Sequence, residues 1–300
     1  MVRSELGGIR AFFDYINERY KIYLRKTQGD PWPWTDDEIL QTYSFCNVYR
    51  EDDTVTEWIR KNWREPYHNH PNLAFAMAVA RQINWPPTLE AIGFPEEWDP
   101  ERVKAIMQER KDKNQKVYTG AYMLTGTLGG TKIEQTVDKI LTPLYNNHPE
   151  IIQESLRETW QNYLPYAGFS GFMAYEVVTD LRHTSYLQQA KDIHSWANAG
   201  PGAKRGLNRI YNRPLEQNIK SSQLTDEMKE LQDMSYRVVR TSMDSGSQDY
   251  LEYISYLIED AGGLEMRDIE HNLCEFDKYE RVRLGEGRPR SKYNPNKGVV

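Results

Sequence analysis

The stretch Leu164–Leu181, LPYAGFSGFMAYEVVTDL, decides how this chain is read. It follows EIIQESLRETWQNYL, whose apolar residues recur at helical spacing. Pro165 lacks an N–H and disfavours helical geometry in the residue before it, so the first helix ends there. Gly168 tolerates the positive φ of a tight turn, and a second, apolar helix begins near Gly171. The pattern is helix, hairpin, helix. Backbone N–H groups at the start of the second helix suit one phosphate of a DNA strand without reading its sequence, which makes Gly168, Ser170 and Gly171 the candidate DNA-binding hairpin. Simple packing of two helices across a glycine turn is the competing reading of the same residues.

Working outward, helical periodicity dominates. GIRAFFDYINERYKIYLRK sets Ile9, Phe12, Phe13, Ile16, Tyr20 and Tyr23 on one face, and EILQTYSFCNVYRE repeats the spacing with Ile39, Tyr43, Cys46 and Val48. TVTEWIRKNWRE, NLAFAMAVARQI with Asn72 as N-cap, ERVKAIMQERKDK, KIEQTVDKILTPLYNN, LTDEMKELQDMSYRVVR and SQDYLEYISYLIEDAGG are further helices. Only KVYTGAYMLTGT has the alternation of an extended segment. The class is all-α. Breaks fall at GDPWPWTDD, NWPPTLEAIGFPEEWDP and LTGTLGGTK, with no internal repeat. The expected organisation is one helical body over 1–283, which admits two lobes around a cleft, and a basic tail over 284–300.

Composition narrows the class further. With 39% apolar and 27% charged residues among 300, the chain has enough apolar mass for one large core or two moderate ones. No apolar run of about 18 residues and no signal-peptide pattern occurs, so the expectation is a cytoplasmic protein without membrane contact. Cys46 and Cys274 stand alone, which supports neither a disulfide framework nor a zinc knuckle, and His68 and His70 lack a third ligand, so no metal is expected. The net charge of −6 argues against indiscriminate nucleic-acid coating. Locally, however, Pro201–Lys220 carries Lys204, Arg205, Arg209, Arg213 and Lys220 against Glu216 alone, and the tail is basic too.

Downstream of the hairpin, Asp192 stands 27 positions after Pro165, beside His194 and just before a glycine turn. Together these features resemble the helix-hairpin-helix DNA glycosylase superfamily, in which L-P-x-x-G opens the hairpin and a D-x-H element supplies the catalytic aspartate. Tyr166 stands where those enzymes carry glycine, and their iron–sulfur cysteines are absent. A second resemblance covers Trp34 to Arg290. SFCNVYREDD, YTGAYMLTG, LPYAGFSGFMAYEVVTDLRHT and HNLCEFDKYERVR together look like the phage α-glutamyl/putrescinyl thymine pyrophosphorylases, also described as amino acid:DNA transferases and as relatives of the helical domain of hydroxymethyluracil DNA kinases. This resemblance implies a glycosylase-like helical fold used for thymine hypermodification in the cytoplasm of an infected bacterium. It implies DNA carrying a pyrophosphorylated 5-hydroxymethyluracil, an amino acid or polyamine as second substrate, coupling to a DNA-base kinase, and no cofactor. Excision of modified thymine, or a non-catalytic helical partner of such a kinase, are the alternatives.

Under that resemblance the residues take provisional roles. The amine must be neutral to attack, which calls for a general base, assigned to Asp192 with His194 as the second choice. Gly200 and Gly202 form a prospective anion nest followed by Lys204, Arg205 and Arg209, the expected pyrophosphate cradle. TGTLGGTK is a rival cradle, although its spacing is not that of a P-loop, which argues against kinase chemistry. Asn47, Arg50 and Glu51, with Glu275, Asp277 and Lys278, offer cations and carboxylates for a zwitterionic amino acid. Tyr118 and Tyr122, with Tyr49, Trp196 and Phe169, are candidates to stack on the base; core packing is the alternative for each.

Overall fold

A computed structural model describes residues 5–120, 128–245 and 263–295, and the description below concerns these. In chain order its main helices are α1 (Glu5–Gln28), α2 (Glu38–Thr42), α3 (Thr54–Ile59), α4 (Leu73–Ile83), α5 (Pro86–Ile92), α6 (Pro100–Asp112), α7 (Lys132–Glu134), α8 (Thr142–Tyr145), α9 (Leu156–Tyr163), α10 (Gly171–Leu181), α11 (Pro201–Ile210), α12 (Ser221–Ser245) and α13 (Met266–Arg283). Wide π turns continue α3 over Arg60–Arg64 and join α7 to α8 over Gln135–Leu141. Among the described residues there is no β-strand, only an isolated bridge between Tyr43 and Lys292. The fold is all-α, as periodicity predicts. The helix expected over SQDYLEYISYLIEDAGG falls almost wholly outside the described residues.

The chain divides into two compact units, one formed by residues 1–52 with 193–298 and the other by 53–192. In the first, α1, α11, α12 and α13 enclose a core that includes Phe12, Ile16, Leu207, Ile210, Leu231, Leu273 and Phe276. Three glycines set its packing. An added Cβ at Gly8 would collide with the Ile210 carbonyl, one at Gly202 with the Cys274 thiol, and one at Gly206 with the Leu273 carbonyl. Gly202 and Gly206 lie one turn apart on α11, so their bare backbone forms a groove into which α13 settles.

The expected second helix is cut short. It ends at Thr42, where Tyr43 turns to extended backbone while its N–H still bonds to Ile39 O. Ser44 N–H then pairs with Ser291 O at 3.1 Å, and Tyr293 N–H with Thr42 O at 2.9 Å, so the 284–295 segment is tied to this unit. Residues 44–48 therefore leave the helix although their apolar spacing allowed one.

In the second unit α4 is buried over its full length, Leu73–Ile83, and Asn84 closes it in the left-handed conformation. Asn72 does precede it, but its side chain donates to the Pro95 and Glu96 carbonyls instead of capping. Arg81 on α4 grips Asp180 on α10 through Nε–Oδ2 and Nη2–Oδ1 contacts, both 2.5 Å, and also reaches Asn84 Oδ1 and Thr56 Oγ1. Removing one member of a buried pair strands the other charge.

Gly206→Ala should cost about 1–3 kcal/mol in urea unfolding of the first unit, because backbone must move to admit the methyl group. Gly287→Ala, with open space around its position, should be near neutral in the same measurement.

Candidate functional site

A dense polar cluster lies in the first unit, where α13 faces the 44–52 segment. Glu275 Oε2 accepts from Cys46 N–H at 3.0 Å, His271 Nε2 lies 3.2 Å from Asn47 O, and Asn272 Nδ2 donates to Val48 O at 3.0 Å. From α1, Arg19 donates through Nε to Cys46 O at 2.9 Å and through Nη2 to Asn47 Oδ1 at 2.5 Å. Lys278 Nζ sits 2.6 Å from Glu275 Oε2 and 4.7 Å from the Phe45 ring centre. The two sequence-distant segments expected to bind the amine, around 47–51 and 275–278, are thus brought together. Arg50 is buried in the short helical turn Arg50–Asp52.

Asp268, at the third position of α13, has its carboxyl raised from an ordinary 3.8 to about 7. Removal from water is the main cause; the negative charges of Glu265 and Glu51 add to it, against the Glu265 N–H bond and Arg267. Tyr15 is raised well above the usual phenol value, first by burial and then by the charge of Glu275. Tyr15, Arg19, His271 and Asp268 escaped the sequence reading. Only Asp268 carried a signal, the E-x-x-D spacing of a capping box, realised here by mutual Glu265 and Asp268 hydrogen bonds.

Asp277 does not belong to this face. It points to α11, where its two oxygens bond Arg205 Nε at 2.9 Å and Arg209 Nε at 2.8 Å. Arg209 also holds Glu286 at 2.6 Å. The expected pyrophosphate cradle is therefore corrected in part. Gly200 is an extended N-cap and Gly202 lies inside α11 against Cys274, so the two glycines do not form a nest. Two of the three cations already have a buried carboxylate. Lys204 has no carboxylate partner among the described residues.

Asp192 belongs to the second unit and accepts from Leu156 N–H at 2.7 Å and Arg157 N–H at 2.9 Å, one per oxygen. It thereby caps α9 at the end remote from the hairpin, roughly 12 Å along the axis at 1.5 Å per residue. His194 is assigned to the first unit, where its Nδ1 lies 3.1 Å from Gln232 Nε2. Asp192 is an anchor for the helix that enters the hairpin, in place of the base expected beside it.

The hairpin itself is built as the proline and glycine require. Gly168 adopts φ +78, its carbonyl accepts from Gln82 Nε2 at 3.1 Å, and Phe169 packs inward on Tyr163. Ser170 caps α10 with extended backbone and makes no side-chain cap bond, while Phe172 is 53% exposed beside it. Trp160 Nε1 donates to Gly171 O at 2.8 Å and ties the two helices together. Of the stacking candidates, Phe169 and Tyr49 are core. Tyr118 is pinned by Thr136 Oγ1 at 3.0 Å and its ring lies 4.0 Å from Lys132 Nζ. Burial outweighs that hydrogen bond and pushes the phenol up to about 12. Tyr122 lies outside the described residues.

The rival cradle at TGTLGGTK is filled from within: Glu134 and Thr131 form a reciprocal capping box, which puts a carboxylate at the helix start where a phosphate would sit. His68 and His70 spend ring nitrogens on local bonds to Glu65 O, Asn69 and Asn72 N–H. Both cysteines are free thiols. Among the described residues no helix is long and apolar enough to cross a membrane.

Comparison with known proteins places this all-helical architecture in a defined class. The family described as 5-hmdU DNA kinase, helical domain, matches residues 8–288, and the chain belongs to that family. A curated relative, the 5-hmdU DNA kinase of Bacillus phage SP10, is 27% identical over 297 residues, covering 89% of this chain and 44% of the kinase. The chain thus spans less than half the length of that relative. No solved structure matches it.

Two outcomes test these assignments. A carboxyl whose pKa is higher folded than unfolded binds its proton more tightly in the native state, so stability falls as pH rises from about 4 to about 7. Asp268→Asn should flatten that slope in denaturation curves taken across the interval. Asp192→Ala should lose about 1–2 kcal/mol of stability by removing a cap, and Asp192→Ser should restore part of it, together with any DNA affinity lost.

Proposed function

We propose that this protein hypermodifies thymine in DNA by replacing the pyrophosphate of 5-(pyrophosphoryloxymethyl)uracil with an amine. Membership of the helical-domain family, and the name of the phage kinase that resembles it, support a substrate built on 5-hydroxymethyluracil. A kinase of that kind would supply the phosphorylated precursor, which makes a functional link to a DNA-base kinase part of the reading. The hairpin at Gly168–Gly171 would hold a backbone phosphate, and the target base would be extruded for reaction.

The reaction needs three things. The amine nitrogen, unprotonated, forms a bond to the ring methylene; the C–O bond breaks, its electron pair leaving with pyrophosphate; the new ammonium then gives up a proton. The base we assign is Glu275, the carboxylate on which the amine would sit, in place of Asp192 and His194.

The observation that carries the reading is the Lys278–Glu275 pair, 2.6 Å apart with side chains 22% and 11% exposed. An amino acid can replace it group for group, its carboxylate on Lys278 and its ammonium on Glu275. A polyamine engages Glu275 alone. Asn47 and Glu51, with Arg50 behind them, would line the same position.

The decisive experiment incubates DNA carrying the pyrophosphorylated base with the protein and glycine, glutamate or putrescine, then identifies nucleosides by mass spectrometry. An aminated thymidine with stoichiometric pyrophosphate is expected; unaltered DNA with every amine sinks the reading. Lys278→Ala should raise KM for the amino acids about tenfold or more and leave that for putrescine unchanged, since one charge-assisted hydrogen bond is lost. Glu275→Gln should abolish most turnover with amino acids and putrescine alike.

A further inference from the structure

In the first unit, apart from the candidate site, an aromatic cluster stands at the surface. Trp32 and Tyr293 stack with ring centres 5.3 Å apart and 23° between planes, and Trp34 meets Trp32 edge-on at 5.1 Å and Tyr293 at 6.1 Å. Trp32 is 37% exposed, an uncommon position for the largest apolar side chain. The cluster is rigidly supported. Arg25 donates to Trp34 O, Trp34 Nε1 donates to Asp30 O at 2.8 Å, and the tail that brings Tyr293 is held by the Thr42 and Ser44 backbone bonds.

Cations approach it from both segments. Lys26 Nζ lies 5.9 Å from the Trp34 ring, Arg25 is beside it, and Arg288, Arg290 and Lys292 are exposed on the segment carrying Tyr293. Of the acids near it in the chain, Glu286 is held by Arg209 and Asp37 caps α2 and accepts from the Tyr279 hydroxyl, while Asp30, Asp36 and Glu38 are exposed. Open aromatic faces among cations suit a polymer with flat π surfaces and a negative backbone. A duplex keeps its bases stacked on one another and offers no face to Trp32. An unpaired strand does.

We propose that Trp32, Tyr293 and the cations Arg25, Lys26, Arg290 and Lys292 form a platform for single-stranded DNA, stacking one or two unpaired bases. It goes beyond the transfer reading and shares with it only the premise that DNA is the polymer bound. In that setting it would favour target DNA that is already single-stranded, where a base needs no unpairing to be extruded.

The test measures fluorescence anisotropy of labelled, unmodified oligothymidine and of a hairpin duplex of equal length, with no amine present. The protein should prefer the single strand. Trp32→Ala should weaken single-strand affinity at least about fivefold and duplex affinity far less, with Trp32→Phe retaining most of it. The exposed pair Arg290→Gln with Lys292→Gln, which leaves the fold alone, should lower the salt slope for the single strand by about 1.4. Equal losses on both DNAs, or an unchanged slope in the double variant, would overturn the platform, and should Trp32→Ala fail to fold, the double variant decides. Because no turnover is read, a failed transfer reaction leaves this result standing, and a failed platform leaves the transfer reading standing.

Discussion

The first unit depends on how closely α13 can approach α11. Gly202 and Gly206 remove two side chains from the crossing, and the backbone of α13 at Leu273 and Cys274 occupies the space. Once the helices are that close, Asp277 is sealed at 1% exposure and must be neutralised, which Arg205 and Arg209 do from the same helix that supplies the glycines. The contact also fixes the rotation of α13. At 3.6 residues per turn, Glu270, Cys274 and Asp277 address α11, so His271, Glu275 and Lys278 face away from it toward the 44–52 segment. The polar face assigned to the proposed reaction therefore follows from two missing side chains on the neighbouring helix.

The second unit solves a related problem differently. α4 is buried throughout and carries an arginine, so the helix could not form there without a full set of acceptors. Asp180 supplies two oxygens, and Asn84 and Thr56 the rest. Such a pair adds little net stability over apolar packing, but a bidentate fork accepts one geometry only. It sets α10 against α4, and Gln82, one residue along, then reaches the Gly168 carbonyl of the hairpin. The turn that opens α10 is thus positioned from the buried helix as well as by its own glycine.

Much of this was legible in the sequence, and the failures have identifiable causes. The helices over 5–28, 73–83, 100–112 and 171–181 follow from apolar spacing and from Pro165 and Gly168, which are local properties. Cys46 and Val48 kept the spacing but not the helix, because Ser44 pairs with Ser291, 247 residues away. The glycines at 200 and 202 read as a phosphate nest because a nest and a close helix contact require the same small residue; only the partner, Cys274, distinguishes them. Asp192 beside His194 suggested a base, yet a carboxylate that caps a helix 36 residues earlier leaves no trace in local pattern.

The ion pairs on α13 show how exposure separates support from recognition. Asp277 with Arg209 lies at 1% and 6% exposure, where displacing either partner would leave the other under-compensated in a medium that solvates charge poorly. Glu275 with Lys278, on another side of the same turn, lies at 11% and 22%, where water reaches both groups and the pair contributes little on its own. A self-paired site of this kind stays neutral when empty. A zwitterion entering it exchanges one Lys–Glu contact for two contacts of the same type, so the charges are never left uncompensated on either side of the exchange. Under the proposed transfer, that near balance would favour weak, reversible binding of a small amine, and selection among amines would fall to neighbours such as Asn47, whose side chain already donates to Asp52 O.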